Sequence, residues 1–348
     1  MTPEDLIGRG PRYPVPSLDV DAPPRLMVVI DTEEEFDWSA PFRRDATSVE
    51  AMRVVGRLQH VFDRYRVQPT YVVDYPVASQ PTGFMPLREI AARGGCHIGA
   101  HLHPWVNPPF EETIGHEASY ACNLAPDLQR RKLRVLRDTI AETFGAAPRI
   151  FKAGRYGIGP SSVDPLEQLG FDVDVSVNPE MDFSDDGGPD FRGCDVAPFW
   201  FGRTPILEMP CTTACVGWLG ARAARVRDVA GRAPLHHLRS VGVLARLQAA
   251  NRIMLSPEGH GLDEMQLLTE TLFERGVRAF MFTLHSPSAA PGHTPYVRTE
   301  QDLGVFLDRI DAYLDFFFGR LGGVSTDPGR FRAELAGGLV SAAVGHTT

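Results

Sequence analysis

Long apolar runs are missing from this 348-residue chain, and no segment reaches the roughly 18 apolar residues that a membrane-spanning helix needs. Long basic runs are missing too. The formal net charge is -9, and no run of lysines and arginines longer than Arg130-Arg131-Lys132 offers a surface for nucleic acid or an anionic membrane. Cysteine is scarce. Cys96, Cys122, Cys194, Cys211 and Cys215 form an odd, scattered set without CxxC spacing. Such a set suits reduced thiols in a cytoplasmic protein better than a disulfide framework, and Cys211 with Cys215 alone makes no zinc site. Met1 to Pro24 carries acids and prolines in place of a basic start and an apolar core, so secretion by the general route is not expected.

What is present is enough apolar material, 43% of residues, to bury a full core. After the proline-rich leader, Leu26 to Ile30 reads as a buried parallel strand and runs into Asp31-Thr32-Glu33-Glu34-Glu35. A helix is expected from Val49 to Tyr65, a strand from Thr70 to Asp74, a helix from Pro86 to Arg93, and a strand ending in His101-Leu102-His103. Past a long loop, Pro104 to Ala125, a helix from Leu128 to Phe144 leads to the strand Arg149 to Lys152 and a turn at Ala153-Gly154-Arg155-Tyr156-Gly157. A strand over Phe171 to Ser176 and an irregular stretch from Asn178 to Thr204 follow, then a possible return to the sheet at Ile206 to Met209. Arg222 to Arg239, with His236 and His237, reads as a solvated face. Arg252 to Leu255, a helix from Leu262 to Arg275, Arg278 to His285 and a helix from Glu300 to Phe318 complete the series.

Repeating β-α-β units predict a parallel sheet with helices outside, most economically closed as a barrel. The expected organisation is a leader over 1–25, one barrel domain over 26–320 and a tail over 321–348, frayed from Ala336 onward. Asp31, Glu33, Asp74, His101, His103, Lys152, Arg155, Asp174, Ser176 and His285 then all fall at the C-terminal ends of strands, where such barrels build their sites.

Residues two apart on a strand share a face, so His101 and His103 can converge, and Asp31 and Glu33 likewise. Two adjacent carboxylates repel unless a cation or a proton separates them. Glu33, His101 and His103 therefore read as ligands of a divalent metal, most simply Zn2+, with Asp31 left as a base and His285 as an acid. His97 reads as a buried histidine behind the ligands, and His260 as a helix-start residue. Lys152 and Arg155 are candidates to orient Asp31 or to bind substrate, with a structural ion pair as the equal alternative for Arg155. Trp38, Trp105, Tyr156 and Phe199 to Phe201 are candidates to contact it, with packing against the barrel as the alternative for the loop aromatics.

These segments carry a resemblance. Val29-Ile30-Asp31-Thr32-Glu33-Glu34-Glu35-Phe36-Asp37-Trp38, Ile98-Gly99-Ala100-His101-Leu102-His103-Pro104-Trp105, Ala153-Gly154-Arg155-Tyr156-Gly157-Ile158-Gly159 and Thr283-Leu284-His285-Ser286-Pro287-Ser288 resemble the polysaccharide deacetylase superfamily with the NodB homology domain, and its WalW-like branch more narrowly. The resemblance implies a distorted (β/α)7 TIM-like barrel, a divalent metal, usually zinc, and removal of acetyl from an N-acetylated amino sugar of a carbohydrate or glycoconjugate. It makes Asp31 the base, Glu33 the acidic ligand, His101 the first metal histidine and His285 the acid. Three departures stand out. Trp105 occupies the usual place of the second metal histidine, leaving His103 as its substitute; Lys152 replaces an arginine; and Glu33 replaces the commoner aspartate. Asp174 and Asp182 are candidates for the acidic partner of His285. A glycoside hydrolase using Asp31 with Asp174, and a sugar-binding homologue without activity, are the competing readings.

Overall fold

The computed structural model describes residues 13–15, 18–37, 40–220 and 250–344, with positions 226 and 229. The segment from Arg222 to Arg239, apart from those two positions, and Trp38 lie outside the described residues, so the expectations for them, including His236 and His237, are neither met nor denied.

A short strand β1 (Tyr13–Pro14) precedes β2 (Arg25–Thr32), the 3-10 turn Glu50–Val54 and α1 (Gly56–Arg64). Next come β3 (Thr70–Val73), α2 (Tyr75–Ser79), α3 (Pro81–Ala92), β4 (His97–Leu102) and α4 (His116–Ser119). The chain continues through α5 (Pro126–Phe144), β5 (Ile150–Ala153), α6 (Val163–Leu169) and β6 (Val173–Asp174). β7 (Phe199–Phe201), β8 (Ile206–Glu208), β9 (Thr213–Val216) and β10 (Asn251–Met254) follow. The last elements are α7 (Leu262–Glu274), β11 (Ala279–His285), α8 (Glu300–Asp315), β12 (Val324–Ser325) and α9 (Pro328–Val344).

Seven strands run parallel in the order β8-β6-β5-β4-β3-β2-β11. The curl is closed by backbone hydrogen bonds of irregular segments: Cys211 N donates to Val177 O (2.8 Å), Leu255 N to Thr212 O (2.8 Å) and Thr283 N to Leu255 O (3.1 Å). This is the distorted (β/α)7 barrel anticipated from the sequence. β1 and β7 add an antiparallel edge, and β9 pairs with β10 as a separate hairpin.

Strand alternation sorts the core into two layers. Leu26, Val28 and Ile30 of β2, with Phe280, Phe282 and Leu284 of β11, pack outward under helix residues such as Leu58, Phe62 and Leu136. Met27, Val29, Ala279 and Met281 fill the barrel interior with Val72, Ile150, Val173 and Leu207. Continuing that inner row upward gives Asp31 on β2 and His285 on β11, which are paired in register. Apolar packing below thus delivers both polar groups to the rim.

Some expectations change. The helix expected from Pro86 begins at Pro81, a favoured first helical position, and Pro86 lies inside it. The leader and the tail, set apart by the sequence reading, both contribute elements. β1 pairs β7, β12 pairs β2, and Phe331 and Leu335 of α9 join the inner core at the end where β2 and β11 begin. Phe199 to Phe201 form β7, between β1 and β8, with Trp200 and Phe201 buried, and none of the three lines the cavity at the barrel mouth. His97, expected behind the metal ligands, sits at the opposite end of β4, half-exposed, 3.5 Å from Asp327.

Candidate metal centre

At the mouth of the barrel lies a cavity of about 530 Å³, lined by Asp31, Glu33, His101, His103, Glu258 and His285 among others. Glu33 Oε2 lies 3.4 Å from His101 Nε2 and 3.3 Å from His103 Nε2. Glu33 Oε1 is buried with no hydrogen-bond partner among the described residues. An unpartnered buried carboxylate oxygen is costly. A divalent cation would satisfy it, and two imidazoles with one carboxylate form a suitable donor set with room for further ligands.

The surroundings orient these donors as metal ligands are commonly oriented. His101 Nδ1 meets the carbonyl of Lys152 at 3.1 Å, leaving Nε2 for the cavity. His103 Nδ1 meets Glu34 Oε2 at 2.8 Å, and Trp105 Nε1 donates to the other oxygen of Glu34, also at 2.8 Å. Trp105 stacks on His103 with ring centroids 4.3 Å apart. The chain turns back after His103, whose carbonyl accepts from Val106 N and Asn107 N, and that turn folds Trp105 behind the histidine. Glu34 N donates to Asp74 Oδ2 at 2.7 Å, while Asp74 Oδ1 caps α2 by accepting from Val77 N. Glu34, Asp74 and His103 also lie close enough to suggest a cation, but every oxygen of both carboxylates already accepts a hydrogen bond. They position His103.

Charges follow the same plan. Burial would raise the Glu33 carboxyl, but the nearby His285, His101 and His103 outweigh it and hold Glu33 well below the usual range. Burial and the charge of His103 push His101 down, toward the neutral imidazole that a metal requires. Burial and the neighbouring Glu34 carboxylate push Asp74 well up. Against the cost of burial, Glu34 raises His103.

Asp31 Oδ1 accepts a 2.7 Å hydrogen bond from Lys152 Nζ, and Asp31 Oδ2 lies 3.8 Å from His285 Nε2. Lys152 is fully buried beneath the site; burial opposes its charge, and Asp31 restores it. It orients Asp31, one of the two roles its position suggested, and does not line the cavity.

The acidic partner of His285 is neither Asp174 nor Asp182. Val173 and Val175 point into the barrel, so Asp174 between them faces the other way, coupled to Glu208 and hydrogen-bonded to Ser176. Asp182 holds Ser184 and pairs with Arg192. Glu258 fills the role. It lies 2.6 Å from His285 Nδ1, accepts from His285 N, and is braced by Ser288 Oγ at 2.6 Å. Despite burial, Glu258 and Glu33 raise the His285 imidazole to about 9. The same facing of Asp174 removes the carboxylate pair that a glycoside hydrolase would need with Asp31.

Arg155 and Tyr156 line the cavity, and Trp105 does not. Trp105 is buried, which corrects its expected place as a substrate platform. Arg155 hydrogen-bonds Ser119 Oγ at 2.5 Å and pairs with Asp186, so its guanidinium ties loops together. Gly154 has a steric reason: a Cβ there would collide with His103 Cδ2 and lie 2.6 Å from Leu102 O. His260 stands just before α7, with its Nε2 accepting from Met254 N. Sequence reasoning missed Glu34 and Glu258. The strict strand alternation that found Glu33 gives no warning that the next residue also turns inward, and Glu258 follows its strand in a Ser256-Pro257-Glu258 turn without a partner nearby in sequence.

No family model and no curated protein matches the chain. Solved structures share its fold. A candidate polysaccharide deacetylase from Mycobacterium smegmatis superposes with a TM-score of 0.54 at 15% identity, covering 94% of this chain and 96% of that one. A probable polysaccharide deacetylase from Pseudomonas aeruginosa PAO1 gives 0.52 at 15% identity, over 96% and 97%. Puue allantoinase gives 0.53 at 16% identity, over 96% and 97%. At these identities the likeness establishes the barrel fold and leaves the chemistry to the residues.

Proposed function

We propose that this chain is a metal-dependent hydrolase that removes an N-acetyl group from an amino sugar of a polysaccharide or glycoconjugate. The observation that carries the reading is the presence, in one cavity, of the Glu33-His101-His103 cluster beside the Asp31 and His285 pair. A divalent ion on those three residues, zinc being the first candidate, would supply a Lewis acid for the acetamide carbonyl and its attacking water.

The protein groups divide the proton work. Asp31, held at Oδ1 by Lys152, has Oδ2 available to take a proton from water. His285, protonated through neutral pH and oriented at Nδ1 by Glu258, has Nε2 on the Asp31 side and gives a proton to the departing amine. Backbone amides of the turn at Gly154 to Tyr156, which packs against His103, would steady the developing oxyanion. Trp105 and Lys152, the departures from the resembled pattern, each hold a group of the site: Trp105 braces Glu34, and Lys152 anchors Asp31. That favours a working enzyme over an inactive sugar-binding homologue. Among the described residues no helix is long and apolar enough to cross a membrane, and an odd, scattered set of five cysteines without CxxC spacing suits a cytoplasmic setting.

The test is acetate release from N-acetylated sugars by zinc-loaded wild type and Asp31→Asn. The variant is expected to lose about 100-fold or more in kcat while keeping its circular dichroism spectrum and zinc content. Undiminished release would remove Asp31 as the base.

A further inference from the structure

The floor of the cavity is nearly closed to solvent: Asp31 is 4% exposed, Glu33 3%, and His101 and His103 2% each. Contacts between loops that follow different strands make up much of its wall. From the loop after β2, Phe42 packs 5.1 Å from the Arg155 guanidinium, which reaches Ser119 after β4 and Asp186 after β6. Tyr156 stacks on Phe183, centroids 5.5 Å apart, and its hydroxyl lies 3.7 Å from Met254 Sδ at the end of β10. Beyond β11, the Tyr296 ring stands over Gly259, and outside it His293 lies 3.4 Å from Glu35 of the loop after β2, beside a neighbouring cavity. Arg155 and Tyr156 enter this wall from consecutive left-handed backbone conformations, with φ of 55° and 60°. Two such residues in a row are uncommon without glycine, and the strain is maintained where it sets the direction of both side chains.

We propose that the site is a blind well, which admits a compact amide such as one N-acylated sugar or the end of a glycoconjugate, and shuts out the internal units of a polysaccharide. A polymer bound through its middle needs a trench with two open ends. Here loops from successive strands are joined to one another around the mouth. The volume of about 530 Å³ lies within the ~300–1,000 Å³ typical of small-molecule pockets. Aromatic rings make up much of the wall, as suits the apolar faces of a single sugar ring or an attached apolar group.

The inference rests on the hydrolase reading for its chemistry, and the experiment separates the two. A series of fully N-acetylated mono-, di-, tetra- and hexasaccharides and the insoluble polymer is given to the zinc-loaded protein, with the position of each lost acetyl read by mass spectrometry. Binding of the soluble members to zinc-loaded Asp31→Asn is measured by calorimetry. Acetate should leave only from the terminal unit, kcat/KM per molecule should not rise with length, and the polymer should react at least tenfold more slowly per acetyl group. Phe42→Ala, which opens the wall beside Trp105, should raise the ratio of internal to terminal release, a ratio that a general loss of activity through Trp105 would not move. Internal acetyls lost as fast as terminal ones, or a ratio unmoved by Phe42→Ala, would overturn the well. Binding at one terminal unit without acetate release would overturn the hydrolase reading and uphold the well, whereas no binding by any member would overturn both.

Discussion

His285 is held between two carboxylates, Glu258 at Nδ1 (2.6 Å) and Asp31 at Nε2 (3.8 Å). Burial disfavours its charge, yet Glu258, Glu33 and Asp31 together raise it to about 9. An unfolded histidine titrates near 6.5. Between these values the folded chain binds the extra proton, so the stability this group contributes is fully present below about pH 6.5 and is lost as pH rises through about 9. Activity that needs the protonated form should fail over the same upper limb. A cation on Glu33 offsets that residue's share, which leaves Glu258 as the partner to remove. Glu258→Gln should shift the alkaline limb of the kcat/KM profile downward, toward the ordinary histidine value, and lower kcat. A limb that stays in place would assign it to some other group.

Most of these residues were legible because chemistry and period coincided. Asp31 ends a wholly apolar strand, and His101 and His103 share a strand face, so type and spacing pointed the same way. Glu34 stands in a run of three acids, and nothing local reveals that Trp105 and His103 come round to meet both its oxygens. Glu258 had no signal at all: its contact with His285 depends on where a loop after β10 meets β11 across 27 residues.

Among the elements, β4 and the turn after β5 show how closely the site is fitted to its support. His101 is in register with Lys152, so one pair of neighbouring strands delivers a metal ligand and the anchor of the base. Immediately beyond, Gly154 passes so near His103 that no side chain fits. Gly154→Ala should therefore displace His103 and weaken zinc binding by about 10- to 100-fold, the usual scale for disturbing a ligand's support. Competition against a chromophoric chelator measures it, and an unchanged affinity would mean that the turn yields instead. The β-α-β order was plain from apolar runs and turn residues. The closure was not: it is made by Thr212 and Leu255, in segments flanking the hairpin of β9 and β10, whose pairing lies outside the parallel pattern.

At the scale of the molecule, the account depends on convergence. β2 supplies Asp31 and leads into Glu33, β4 supplies His101 and leads into His103, and β11 brings His285 from more than 180 residues further along the chain. The apolar barrel interior sets the inward row on each strand, and the rim collects the polar residues that continue it. Leader and tail take part away from the rim: β1 pairs β7, β12 pairs β2, and α9 packs against the inner core. The most direct measurement is an anomalous-difference map at the zinc edge from crystals of the zinc-loaded protein. The predicted result is one strong peak about 2.0–2.2 Å from a Glu33 carboxylate oxygen, His101 Nε2 and His103 Nε2. A cavity with no peak there, or a peak held by Glu34 and Asp74 instead, would contradict the assignment on which the proposed chemistry stands.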